Sequence, residues 1–334
     1  ELITYNKFTK KNLKLFENKK KSSLPTTNNV PIINQEKKQN TILKGNITVD
    51  SNLIFEEKTE IKKGTIFNVA NGVSIVFRNK VQAIGSENEP IIFKNKDTND
   101  NWGGLVIHGK NTEGSIFSNI RIENASGNKI DGINYFASLS VHSTKNLRFN
   151  NILIKDSHIY DDMVHVVYGD DIKFNNVTLE NAKNDAIDID ISKNILLENF
   201  KVLNSGNDGL DLMTSSVELF NSSILSSGDK GISVGEGSDI IIKDTIIEKN
   251  NYGIASKDNS RVNIDNSLLK NNKIQLSTYK KNWRYGDSGI INMKNSSLTA
   301  KNNKINGDKD GSITINSTLV KGELIKKGNV NFTD

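Results

Sequence analysis

Asp161–Gly169 reads DDMVHVVYG, Asn184–Ser192 reads NDAIDIDIS, Asn207–Ser215 reads NDGLDLMTS and Gly228–Glu236 reads GDKGISVGE. Aligning the apolar pairs Val164/Val166, Ile187/Ile189, Leu210/Leu212 and Ile232/Val234 makes these copies recur every 22 or 23 residues. A period of that length predicts a solenoid, each repeat one coil stacked on the last. Inside the apolar pairs sit His165, Asp188, Asp211 and Ser233, and three residues ahead of the first three sit Asp162, Asp185 and Asp208. Coils in register place these acidic side chains above one another on one face. That face is the functional candidate.

Outward from this stretch the same pattern persists. From Ile42 on, short β-branched runs such as LIF, VSIVF, IIFK and GLVIHG are broken by Asn, Gly and Asp, too short for helices and alternating with period two. Pro90 is the last proline, as expected for strands whose every N–H is needed in a ladder. A second column fixes the register: Asn119, Asn151, Asn176, Asn199, Asn221, Asp244, Asn266 and Asn295 follow one another at 32, 25, 23, 22, 23, 22 and 29 residues. Asparagine tolerates the left-handed backbone of a tight turn, and stacked amides can bond to the coils above and below. The two long gaps are insertions, near SGNKIDGINYFAS and near YKKNWRYGDSG, and insertions in solenoids project as loops, often on the binding face.

Composition bounds the rest. The net charge of +5 belongs to residues 1–40, where nine lysines face three glutamates; residues 41–334 carry −1. The basic run, with SSLPTTNNVP behind it, reads as a solvated leader, linker or cap rather than a nucleic-acid surface. Phe8–Phe16 has the apolar spacing of a short amphipathic helix, and residues 1–40 could tether the body to an upstream domain or assembly partner. With no cysteine there are no disulfides, and with no run of 18 apolar residues nothing is predicted to span a bilayer. The chain opens on Glu1 rather than Met, which fits removal of a signal peptide and export.

Repeats of about 23 residues with a column of asparagines resemble the right-handed parallel β-helix of the pectate-lyase-like superfamily. PIIFKNKDTNDNWGGLVIHG resembles an opening coil of secreted bacterial β-helix proteins. NDAIDID, NDGLDL, GDKGISVGEGS, GIASKDNS and the YKKN loop are similar to the β-helix module attached to spore-coat-H-type kinase domains in exported bacterial proteins, although no kinase domain is present here. The resemblance implies an all-β protein: a single-stranded right-handed parallel β-helix of about ten coils over 41–334, extracellular or at the cell surface. It also implies binding or cleavage of acidic polysaccharides, often with calcium, or an adhesive or structural role.

The acidic face can be read from its own residues. Carboxylates on coils about 4.8 Å apart repel by roughly 3–4 kcal/mol at an effective dielectric near 20, which invites a cation. Asp188, Asp190 and Asp211 are the expected metal ligands, and calcium suits an all-oxygen set. Asp162, Asp185 and Asp208 are either substrate-binding groups or turn residues that cap their own backbone. A lyase or epimerase acting on a uronic acid needs a positive group for the sugar carboxylate, a base and an acid. His165 and His142 are the candidate bases, with Tyr160 or Tyr168 as partners, and Asp188 and Asp211 are the candidate acid–base carboxylates; a two-carboxylate glycosidase is also open. Trp283, Arg284 and Tyr285 are expected either to grip sugar rings or to lid the end of the coil. The partner expected is an acidic polysaccharide or cell-surface glycan, with no nucleic acid. The competing reading is a non-catalytic adhesive or structural module.

Overall fold

The computed structural model describes residues 3–5, 12–14, 40–97, 101–316, 318–320 and 322–332. Two compact units are present, Glu1–Lys38 and Gln39–Asp334. In the first, Ile3–Tyr5 pairs antiparallel with Asn12–Lys14, so a strand stands inside the stretch expected to form a helix over Phe8–Phe16; the rest of that stretch lies outside the described residues.

The second unit is a parallel β-solenoid of about twelve turns, against the ten or so expected. Each coil contributes one strand to each of three faces. The front face stacks Gly104–His108, Ala137–His142, Asp162–Val167, Asp185–Asp190, Leu210–Met213, Lys230–Gly235, Tyr252–Lys257 and Ile274–Tyr279. The second and third faces stack in the same way through Ile172, Ile195 and Val217, and through Leu179, Val202 and Ile224. Long strands such as Asp170–Ala182 cross the corner between those two faces at Asn176. The only helical pieces among the described residues are single 3-10 turns, Lys110–Thr112 and Trp283–Tyr285. No helix among the described residues is long and apolar enough to cross a membrane.

Period-two alternation builds the core. Ile75, Leu105, Leu139, Val164, Ile187, Leu210, Ile232, Ile254 and Leu276 form one inward column, each no more than 1% exposed. Burying each such side chain stabilises the fold by about 1.5–3 kcal/mol. Phe117, Phe149 and Phe174 stack above one another at 5.1 and 4.7 Å. The corners carry the polar half of the register. All eight positions of the asparagine column have φ between 45° and 54°, the left-handed region that Asn and Asp tolerate. Asn151 donates to Asn119 Oδ1 at 3.2 Å, Asn176 to Asn151 Oδ1 at 2.7 Å and Asn199 to Asn175 Oδ1 at 3.0 Å. At the corner after the front face a serine column does the same: Gly169 N donates to Ser192 Oγ, Ser192 N to Ser215 Oγ, Ser215 N to Ser238 Oγ and Ser238 N to Ser260 Oγ. With these corner groups bonded from coil to coil, a slip of one residue would orphan a row of buried N–H groups.

The insertions are loops, as expected. The first folds into the hairpin Asn128–Ile130/Ile133–Tyr135. The second leaves the front face after Tyr279 and carries the turn Trp283–Tyr285.

Candidate functional site on the front face

Strand pairing turns the sequence columns into spatial ones. His165 lies beside Asp188, and Asp188 beside Asp211. A second outward column, two residues on, runs His142, Val167, Asp190, Met213, Gly235, Lys257. Asp190 Oδ2 comes to 3.5 Å from His165 Nε2. His165, Asp190 and Asp211 keep side-chain exposures of 20%, 19% and 32%, so the cluster is open to solvent.

The third column, Asp162–Asp185–Asp208, divides in its roles. Asp185 Oδ1 accepts Asp208 N and Asn207 Nδ2, both at 2.7 Å, and Asp208 Oδ1 accepts Lys230 N at 2.8 Å. These two aspartates cap backbone, that of the following coil rather than their own. Asp162 does not. The amide of Asn184, which by analogy with Asn207 would bond to Asp162, goes to Asp161 Oδ1 at 3.0 Å. Asp161 stands where the next two copies have Asn, and a carboxylate is the stronger acceptor. Asp162 is left 8% exposed, accepting no hydrogen bond among the described residues.

Burial and crowding act on the whole cluster. Burial, reinforced by Asp190, Asp162 and Asp211, pushes the Asp188 carboxyl up to about 9. Burial, then Asp161 and Asp185, pushes Asp162 up to about 8, and burial raises Asp185 to about 6 although Asp208 N and Asn207 bond to its charged form. Among the described residues two sets bring three ligand atoms within 4.8 Å of one another: Asp162, His165 and Asp188, and Asp161, Asp162 and Asp185. Of the expected ligands, Asp188 belongs to the first set; Asp190 and Asp211 belong to neither.

Positive charge reaches the face from two lysines that the acidic columns did not point to, Lys257 and Lys230. Lys257, 3% exposed, holds Nζ 3.8 Å from Asp211 Oδ1. It reaches there across Gly235, where an added Cβ would stand 3.0 Å from Lys257 Cε. Lys230 lies 3.4 Å from Asp208; burial works against its charge, but Asp208 and Asp229 more than offset that and hold its pKa above the usual value. Nothing in the sequence around Lys257 announced this role beyond a glycine one coil earlier in the same column.

The candidate histidines separate. His142 is 7% exposed with Nε2 unpaired, and burial beside His165 and His108 lowers it to about 3. Its ring lies 5.0 Å from His165 and 5.0 Å from Tyr135, whose hydroxyl meets His108 Nδ1 at 2.6 Å. His142 therefore stands behind the face as a neutral packed ring, and His165, 20% exposed, is the more open of the two. No hydrogen bond among the described residues joins His165 to Tyr160 or Tyr168. Tyr160 stacks on Phe136 at 4.3 Å on one rim, 37% exposed. Tyr168 and Ile191 form the opposite rim, 59% and 42% exposed, both in the left-handed region.

The inserted loop is held by Asp258, a fully buried carboxylate whose Oδ1 accepts Lys281 N and Asn282 N at 2.7 and 2.6 Å. Trp283 is 77% exposed with the Arg284 guanidinium 5.8 Å above its ring, so it does not lid the coil. The loop leaves the front face four coils beyond Asp188, about 19 Å at 4.8 Å per coil. Trp283, Arg284 and Tyr285 are thus on the same side of the sequence register as the cluster but apart from it. A groove of about 530 Å³ on the second face, lined by Lys173, Leu196, Glu218 and Ile241, gathers no set of three ligand groups.

A sequence model of the right-handed β-helix region matches residues 137–305. No curated protein matches the chain in sequence. Among solved structures, pectate lyase Pel9A superposes with a TM-score of 0.56 at 12% identity, covering 82% of this chain and 78% of that one. An alginate lyase from Paenibacillus sp. str. FPU-7 gives 0.48 at 13% identity over 75% and 93% of the two chains, and the A-module of Azotobacter vinelandii mannuronan C-5 epimerase AlgE6 gives 0.42 at 11% over 88% and 83%. At such identities the likeness is one of fold, carried by the pectate lyase. With half its length matched by the family model, the chain belongs to the right-handed β-helix family.

Proposed function

We propose that the front face, from His165 to the loop at Trp283, binds and processes an acidic polysaccharide, as a lyase or C5-epimerase at the cell surface or outside the cell. The observation that carries this reading is the meeting of His165, Asp188, Asp190 and Asp211 on one open sheet face with Lys257 at its edge. Proton removal beside a sugar carboxylate needs a cationic group to quench the developing negative charge, an acceptor and a donor. Lys257 supplies the first, and the partly exposed Asp190 and Asp211 are placed to exchange protons. The nitrogen of His165 suits either proton abstraction or metal ligation. Calcium suits the oxygen-only set Asp161, Asp162 and Asp185. Tyr160, Tyr168 and Trp283 offer apolar faces along the track for sugar rings.

The distance of the Trp283 loop from the cluster favours one second reading, a non-catalytic glycan-binding module. Incubation with polygalacturonate, alginate and a neutral glucan, monitored for unsaturated ends and epimerised residues, separates the two. Turnover of a polyuronate supports the enzyme; binding without turnover supports the module; no binding to any polyuronate contradicts both.

A further inference from the structure

We propose that Asp162, His165 and Asp188 form a binding site for a divalent first-row transition ion of the zinc and manganese class. This goes beyond the polysaccharide reading, and only its catalytic meaning rests on that reading; the ion can bind whether or not a glycan does.

The geometry comes first. One ligand atom from each of the three lies within 4.8 Å of the other two. Ligands about 2.1 Å from a tetrahedral ion stand roughly 3.4 Å apart, so modest side-chain movements close the set. The second observation is Asp162 itself. Its counterparts Asp185 and Asp208 are engaged in capping the next coil, whereas Asp162 is more than nine-tenths buried, accepts nothing, and has its carboxylate beside His165 and Asp188. A buried carboxylate without a donor is costly unless a cation completes it. The turn-capping explanation that accounts for two members of the column fails for the third.

The third observation decides the class of ion. His165 Nε2 is buried and has no hydrogen bond. Calcium and magnesium take oxygen ligands, while imidazole with carboxylates suits zinc and its neighbours. Asp190, whose Oδ2 lies 3.5 Å from Nε2, stands beside the set without belonging to it. Three protein ligands leave coordination positions open, as in catalytic rather than structural sites. With His165 taken as a ligand, the proton-transfer roles fall to Asp190 and Asp211, which lie outside the set.

The test is titration of the chelator-treated full chain with Zn²⁺, Mn²⁺ and Ca²⁺ separately, by calorimetry, with Co²⁺ absorption as a second reading of the ligand field. We expect one equivalent of Zn²⁺ or Mn²⁺ bound more tightly than Ca²⁺, at least tenfold weaker in His165→Ala and Asp162→Asn, and unchanged in Asp208→Asn. Loss of the Co²⁺ spectrum in a folded His165→Ala chain would support nitrogen ligation. Zn²⁺ binding unaffected by His165→Ala, tighter binding of Ca²⁺, or no binding of any of the three would overturn the proposal. Polyuronate turnover is read separately, so failure of one assignment leaves the other standing or falling on its own.

Discussion

One outward column of the front face changes character along its length. Its coils carry His165, Asp188 and Asp211, and then Ser233, Ala255 and Ser277. The inward neighbours do not change in kind: Val164, Ile187 and Leu210 are followed by Ile232, Ile254 and Leu276. The coils with small outward side chains, none more than 4% exposed, stack with the same register as the charged ones. The scaffold therefore asks only for a small, compatible group at that position. The charged coils carry a burden the fold does not require, which is what the proposed site predicts.

The largest expected effect breaks the comparison from inside. Ile187→Ala should destabilise by about 2–5 kcal/mol in urea unfolding, because it leaves a cavity in a column that runs the length of the core. Its outward neighbour should respond with the opposite sign. Asp188→Ser, which installs what Ser233 already is, should raise stability at pH 8 by at least about 1.4 kcal/mol, the equivalent of one pKa unit. The sign follows from linkage. A carboxyl whose folded pKa is raised binds protons more readily in the folded chain, so stability is lost as pH climbs from the usual 3.8 through about 8 for Asp162 and about 9 for Asp188. The wild-type melting temperature should therefore fall across that window, and the fall should be shallower in Asp188→Ser. A flat wild-type profile in the absence of metal would contradict it.

Smaller effects sharpen the boundary of the charged region. Lys257→Met should weaken polyuronate binding about tenfold in a binding isotherm, since it removes the cation beside Asp211. Ile191→Gly should gain up to about 1 kcal/mol by relieving a β-branched residue at φ 47°, while loosening glycan binding several-fold through loss of the rim. Trp283→Ala should change stability by less than about 0.5 kcal/mol, as its ring packs on little but Arg284, and should show only in glycan affinity.

Much of this was legible before any coordinates. The 22- and 23-residue period fixed which residues become vertical neighbours, because side-chain direction in a strand repeats every two residues and corner residues need a left-handed backbone. Asp188 beside Asp211 and the asparagine corners follow from that alone. What period could not supply is contact that skips a coil or depends on which acceptor wins. Lys257 bridges over Gly235 to Asp211, two coils away. Asp162, Asp185 and Asp208 occupy equivalent sequence positions, yet the last two accept a backbone N–H of the next coil and the Asn184 amide goes to Asp161 instead of Asp162. His142 alternates outward like His165 yet is packed among three other rings, a matter of neighbours rather than of pattern.

Paired measurement of unfolding free energy and polyuronate affinity in the double variant Asp188→Ser/Asp211→Ser tests most directly whether these charges serve chemistry rather than architecture. Stability equal to or above wild type at pH 8, together with at least a tenfold loss of polyuronate binding, is the predicted result. Unchanged binding, or a chain that loses stability when its front face is made like its own later coils, would contradict it.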